Sequence, residues 1–278
     1  MVLVVHYFHQ ELEQMVVHFK KIIYSTIIFL IIGCNNISDF QSNEKIKLAD
    51  KTPYKKVLMI GNSFTFYWNL PQVIERMFAV KDIRIQVDQK TIGGSKLYEH
   101  WNHNLKNEYQ LENYDYVVFN DHSTYPMKNI DTCAKYIKLF SSLANEMNIK
   151  PLIYGTWEYD YLKDISKGKS SNTMYRLDSL ATLNNATYVP VGNAFEYVEK
   201  NHPEINLYMD DNKHPSPNAT YLAACVFFST ITGESPLGLP RRFEGKNIDG
   251  KKIYYIITEK KAAETTQKVA DLIGLSFK

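Results

Sequence analysis

From residue 56 onward the chain alternates short, almost wholly apolar runs with longer stretches of helical periodicity. Residues 56–60, Lys-Val-Leu-Met-Ile closed by Gly61, form a short run, apolar after its lysine, of the kind found in a buried strand of a parallel sheet. Pro71 opens a helical stretch over residues 72–78, where a proline in the first turn costs no hydrogen bond. Residues 83–87 alternate apolar and polar side chains and predict a second strand at a sheet edge, followed by a turn at residues 91–95 around Gly93-Gly94 and a short helix over 97–104. A third strand is expected at 115–120. Asp131 then caps a helix that runs through Ala134, Ile137, Leu139 and Leu143 to Met147. A fourth strand at 151–154 is closed by Gly155, and the charged residues 159–172 have too weak a period for anything but a surface loop. A helix at 174–183, a short last strand at 187–191 and a helix at 194–200 follow. Residues 217–232 are apolar on every side and predict a buried helix; residues 233–250 read as a turn-rich tail before a final amphipathic helix around 265–273. No internal repeat is visible.

Strands alternating with helices predict an α/β fold, a central parallel sheet with helices on both faces joined by right-handed crossovers. In such sheets the functional loops gather at the carboxyl ends of the strands. Ser63 follows the first strand, Gly93-Gly94 follow the second, Asn120 ends the third, and Asp211 and His214 lie in a loop beyond the last strand and its helix. All of them therefore fall on one rim.

The amino end has a different character. Lys20-Lys21 precede an apolar stretch, residues 22–33, that is short for a membrane span and ends at Cys34 with polar Asn35-Asn36 immediately after, which predicts an export signal. Ile31-Ile32-Gly33-Cys34 resembles the lipobox of bacterial lipoproteins, in which the cysteine receives a diacylglycerol; the alternative is an ordinary signal peptide with a cysteine at its end. The expected organisation is a lipoprotein signal peptide over 1–34, a flexible tether over 35–54 and one domain over 55–278, exported and lipid-anchored through Cys34 to the cell envelope. Met15 would start a signal of ordinary length. Cys133 and Cys225 are the remaining cysteines; Cys225 sits in an apolar run and reads as a buried small hydrophobe, with a disulfide to Cys133 as the alternative.

Formal net charge is only +2 and no basic stripe stands out, which argues against a nucleic-acid partner. Twenty tyrosines make an aromatic surface suited to stacking on sugars, although composition alone also explains them. No cofactor motif is present. His100 and His103 flank Trp101 at a ligand-like spacing, but no cysteine or carboxylate cluster joins them, so they read as packing or surface residues and no metal is expected. His122 adjoins Asn120-Asp121 and is a candidate for the pocket wall, and Trp157 for a sugar platform or core packing.

The chemistry-bearing residues form a Ser-His-Asp set. Ser63 in a turn after a strand is a candidate nucleophile, or a helix cap. His214 is the candidate base, because imidazole exchanges a proton near neutral pH, and Asp211, three residues back, would hold its other ring nitrogen; Asp210 is the alternative orienting acid. The backbone N–H groups of Ser63 and Gly94 (or Gly93) and the Asn120 amide are the candidate donors to an oxyanion.

These motifs resemble the SGNH (GDSL-type) hydrolases over residues 55–239. Gly61-Asn62-Ser63 is similar to the first family block, with Asn62 where aspartate is usual. Gly93-Gly94 is similar to the second, and Val118-Phe119-Asn120-Asp121 to the third, with Val118 in place of its glycine; Asp211-Asn212-Lys213-His214 matches the last. The resemblance implies a flavodoxin-like three-layer α/β/α sandwich and metal-free ester hydrolysis through an acyl-enzyme. Family analogy and anchoring together point to small acyl esters, foremost O-acetyl groups on a carbohydrate, with lipase or thioesterase activity and a non-catalytic carbohydrate-binding lipoprotein as alternatives.

Overall fold

The computed structural model describes residues 54–277, so the expected signal peptide, Cys34 and nearly all of the tether lie outside the described residues. Five strands form one all-parallel sheet: β1 (Lys55–Gly61), β2 (Ile85–Thr91), β3 (Tyr116–Phe119), β4 (Lys150–Tyr154) and β5 (Thr187–Val189), in the order β2-β1-β3-β4-β5. β2 is an edge strand, as its alternation predicts. The helices are α1 (Ser63–Phe66), α2 (Leu70–Val80), α3 (Leu97–Glu108), α4 (Tyr125–Lys128), α5 (Ile130–Glu146), α6 (Asp160–Ser166), α7 (Thr173–Leu183), α8 (Val191–Asn201), α9 (Pro217–Thr232) and α10 (Lys260–Gly274).

Beyond the lysines that open β1 and β4, each central strand is apolar because each of its faces meets a helical layer. Val57, Met59, Val118, Leu152 and Val189 join one core with α2, α8, α9 and α10, while Leu58, Ile60, Val117, Phe119 and Ile153 join another with α3, α5 and α7. The result is the expected three-layer α/β/α sandwich. α9 is buried on nearly all sides, from Ala219 to Ser229, with Ser216 capping its start and Gly233 at φ 76 ending it.

Several elements depart from the sequence expectation. The Lys-rich stretch read as a loop contains α6, which hides only Leu162, so its apolar period is nearly absent. The turn-rich tail contains an antiparallel hairpin, β6 (Arg242–Lys246) with β7 (Lys252–Ile257). Its turn is closed by the Asn247 side chain, which accepts from the N–H groups of Asp249 and Lys251, and only Phe243 and Ile256 turn fully inward. α5 begins one residue before Asp131, which lies in its first turn while Asn129 holds the cap position. Cys133 and Cys225 are buried free thiols and form no disulfide.

Candidate active site

β1 ends in a turn that delivers Ser63 to the start of α1, with the Asn62 side chain accepting from Phe64 N–H at 3.2 Å. Gly61 is fixed as glycine by crowding: a Cβ there would fall 1.9 Å from Asn120 Oδ1 and 2.5 Å from Thr65 Oγ1. The Gly61 carbonyl accepts from three donors, Ile92 N–H (3.1 Å), Ser95 Oγ (3.1 Å) and His100 Nε2 (2.9 Å). Asn62 Nδ2 donates to the carbonyls of Ser95 and Asp121, each at 3.2 Å. The loops after β1, β2 and β3 are thus stitched to one another immediately around the serine.

His214 arrives from the loop ahead of α9. Asp211 Oδ1 accepts from the N–H groups of Lys213 (3.1 Å) and His214 (2.9 Å), so its carboxylate shapes the turn as well as meeting the ring. Asn212 at φ 54 completes the bend. His214 Nδ1 lies 2.5 Å from Asp211 Oδ2, and His214 Nε2 lies 2.9 Å from Ser63 Oγ. Residues 151 positions apart therefore form one hydrogen-bonded line, and Asp211, not Asp210, faces the ring.

The imidazole is also clamped. Tyr67 stacks on it at 4.4 Å between centroids, and Phe64 meets it edge-on at 5.7 Å. The Trp157 indole N–H donates to the Lys213 carbonyl (3.1 Å) and the Trp68 indole N–H to the Pro215 carbonyl (2.9 Å), so the residues on either side of His214 are each held by a tryptophan. Trp68 takes a left-handed backbone conformation, φ 49, to reach that place. Nothing in the sequence pairs Trp68 with Pro215, and neither Tyr67 nor Trp68 stands out before the fold is known.

Burial alone would raise the Asp211 carboxyl, but donors from the His214 ring and from the His214 and Lys213 backbone outweigh it and hold the group at about 2. It is a carboxylate at neutral pH, so Nδ1 of His214 carries the proton it donates to Asp211, and Nε2 is left to accept from the serine hydroxyl. Burial lowers the pKa of the half-buried His122, and the neighbouring Lys213 and Lys96 ammoniums lower it further. Burial raises the Asp121 carboxyl, against hydrogen bonds from the N–H groups of Leu97 and His122.

The two further candidate donors differ in their surroundings. Asn120 is buried, its Nδ2 donates to Asn62 Oδ1 (3.2 Å) and to the Asp121 carbonyl (3.1 Å), and its Oδ1 accepts from Thr65 Oγ1 (2.6 Å). The amide braces the serine turn through all three of these bonds. Asn120 directly continues β3, its N–H donating to the Ile60 carbonyl, and its side chain lies over Gly61. Gly94 sits in the exposed turn after β2 at φ 69, with open space where a Cβ would be.

Trp157 is core packing, not a platform: both faces are covered, by Phe64 at 4.2 Å and Phe195 at 4.1 Å. His100 is buried under the serine turn, and the side chain of His103 lies outside the described ones. Beside the histidine loop the Lys213 ammonium lies over the Tyr159 ring, Tyr159 stacks with Tyr161, and Lys128 lies over Tyr161, giving a cationic and aromatic flank.

Comparison with solved structures bears on the fold that carries these residues. A candidate SGNH hydrolase from Slackia heliotrinireducens is 26% identical, with 64% of this chain and 100% of that chain aligned at a TM-score of 0.54. The chain is a member of the SGNH hydrolase superfamily. A DUF4886 family protein from Bacteroides uniformis shares the SGNH fold over more of the chain, 79% of it and 94% of that protein, at 18% identity and a TM-score of 0.58. A lipase/acylhydrolase from Enterococcus faecalis shares the fold at 13% identity and a TM-score of 0.51, over 64% of this chain and 96% of that one. No family model matches this SGNH sequence, and no curated protein sequence does.

Proposed function

We infer that the chain is a serine ester hydrolase working through Ser63, His214 and Asp211. The observation that carries this is the continuous line from Asp211 Oδ2 through the imidazole to Ser63 Oγ, at 2.5 and 2.9 Å. Ser63 Oγ attacks the ester carbonyl while its proton passes to His214 Nε2. The imidazolium is stabilised by the Asp211 carboxylate. The tetrahedral anion is held by the backbone N–H groups of Ser63 and Gly94. When it collapses, the C–O bond to the alcohol breaks and His214 returns the proton to the departing oxygen. Water, deprotonated by the same histidine, then frees the acid from Ser63.

The substrate class that fits best is a small acyl ester on a carbohydrate, with O-acetyl foremost. The exposed Tyr161, the Trp68 edge and the lysines over Tyr159 and Tyr161 offer a polar, aromatic flank of the kind that sugar rings bind. An envelope enzyme anchored through Cys34 would meet such polymers. Three measurements test this reading. Fluorophosphonate should label wild type at Ser63 and leave Ser63→Ala untouched; a chain that binds acetylated glycan without being labelled is a binding module instead. Among 4-nitrophenyl esters, acetate should exceed octanoate in kcat/KM; the reverse order makes it an acyl-lipid or thioester enzyme. Cys34→Ala should move the protein from the membrane fraction to the soluble one.

A further inference from the structure

We propose that His100 is a positioning residue that holds the serine turn and the Gly93-Gly94 turn in fixed relation, with its ring proton on Nε2. This rests on the ester-hydrolase reading of the same site and adds a residue to it that no part of the proton relay uses. His100 lies on α3 and is 1% exposed. Its Nε2 is 2.9 Å from the Gly61 carbonyl and 2.8 Å from Ser95 Oγ, and its Nδ1 is 2.8 Å from the Tyr109 hydroxyl.

The tautomer follows from the partners. A carbonyl only accepts, so the nitrogen facing Gly61 must carry the proton. Ser95 gives its own hydroxyl proton to the same carbonyl at 3.1 Å and so receives from Nε2–H. Nδ1 then accepts from the Tyr109 hydroxyl. Burial acts in the same direction, disfavouring the imidazolium.

The consequence is geometric. Gly61 stands two residues before Ser63, and Ser95 stands immediately after Gly94. One buried ring therefore grips both the turn that aims the nucleophile and the turn expected to supply the second anion donor. Their separation is what a tetrahedral transition state senses, and a misplacement of about 1 Å there costs about 100-fold in rate. A ground-state ester does not sense it, so loss of the ring should fall on kcat and spare KM.

The test uses the full chain with 4-nitrophenyl acetate, and thermal unfolding as a check on the fold. His100→Phe keeps the ring volume and removes every polar contact; it should lower kcat by about 10- to 100-fold with KM within about twofold. Fluorophosphonate labelling should slow in parallel. His100→Gln, whose amide N–H reaches the place of Nε2, should restore most of the loss. If His100→Phe does not fold, Ser95→Ala, which deletes only the hydroxyl between ring and carbonyl, carries the same expectation of a kcat-only loss. The proposal is overturned if the folded variant keeps kcat within twofold of wild type, if KM rises in step with the loss, or if glutamine restores nothing. Wild type is assayed alongside: if it neither labels nor turns over, the hydrolase reading itself has failed and this inference goes with it.

Discussion

Asn62 donates to two carbonyls, and an aspartate in its place could not. Its Nδ2 serves Ser95 and Asp121 while its Oδ1 accepts from Phe64 N–H and Asn120. Asn62→Asp would keep the second pair and turn a carboxylate oxygen toward two other oxygens inside a buried turn. The expected cost is about 1–3 kcal/mol, read as a lower urea midpoint at pH 7, together with slower Ser63 labelling; an unchanged midpoint would contradict the role given to the amide. Asp211 gives a prediction with a pH signature. Its carboxyl is held at about 2, below its ordinary 3.8, so the stability it lends is fully present above about pH 4 and is lost as pH falls through about 2. Asp211→Asn should therefore be less stable than wild type at pH 7, and the gap should narrow at pH 3. Its kcat at pH 7 should fall by about 10⁴, because an amide N–H facing Nδ1 puts the ring proton on Nε2 and leaves no acceptor for the serine. That Ser63, His214 and Asp211 meet was legible in the sequence because Ser63 follows a strand end and the Asp-x-x-His spacing is local. The hydrogen bonds of Asn120 within its own loop were not legible, because residue type alone does not tell what an amide binds. His100 could be read only as a packing or surface residue, and Ser95 and Trp68 left no trace, since each binds a backbone carbonyl, which sequence does not label.

At the level of elements, what could be read depended on how one-sided each segment is. β1, β3, β4 and α9 were legible because burial on all sides leaves nearly continuous apolar runs, and β2 because an edge strand alternates; α6 and the β6-β7 hairpin bury so few side chains that their periods vanish beneath charged residues. This difference should appear in stability. Phe228 in α9 is fully buried against Phe78, and Phe228→Ala should cost about 3–5 kcal/mol. Leu183, at the end of α7 and 79% exposed, should tolerate alanine within about 0.5 kcal/mol. Denaturant titration of the two variants measures both, and comparable costs would refute the burial assigned to α9.

On the scale of the whole molecule, the described residues are packed into two cores that share one sheet. A chain beginning at Pro53 should accordingly unfold in a single transition, with far-ultraviolet circular dichroism and near-ultraviolet signals giving the same midpoint; two separate midpoints would show that the cores are independent. One further consequence comes from the histidine loop. The chain has three tryptophans, and the indoles of two, Trp68 and Trp157, each hold a carbonyl beside His214. The emission spectrum of the unlabelled protein is therefore a built-in gauge of whether that loop is seated, available in any buffer and without an ester to turn over.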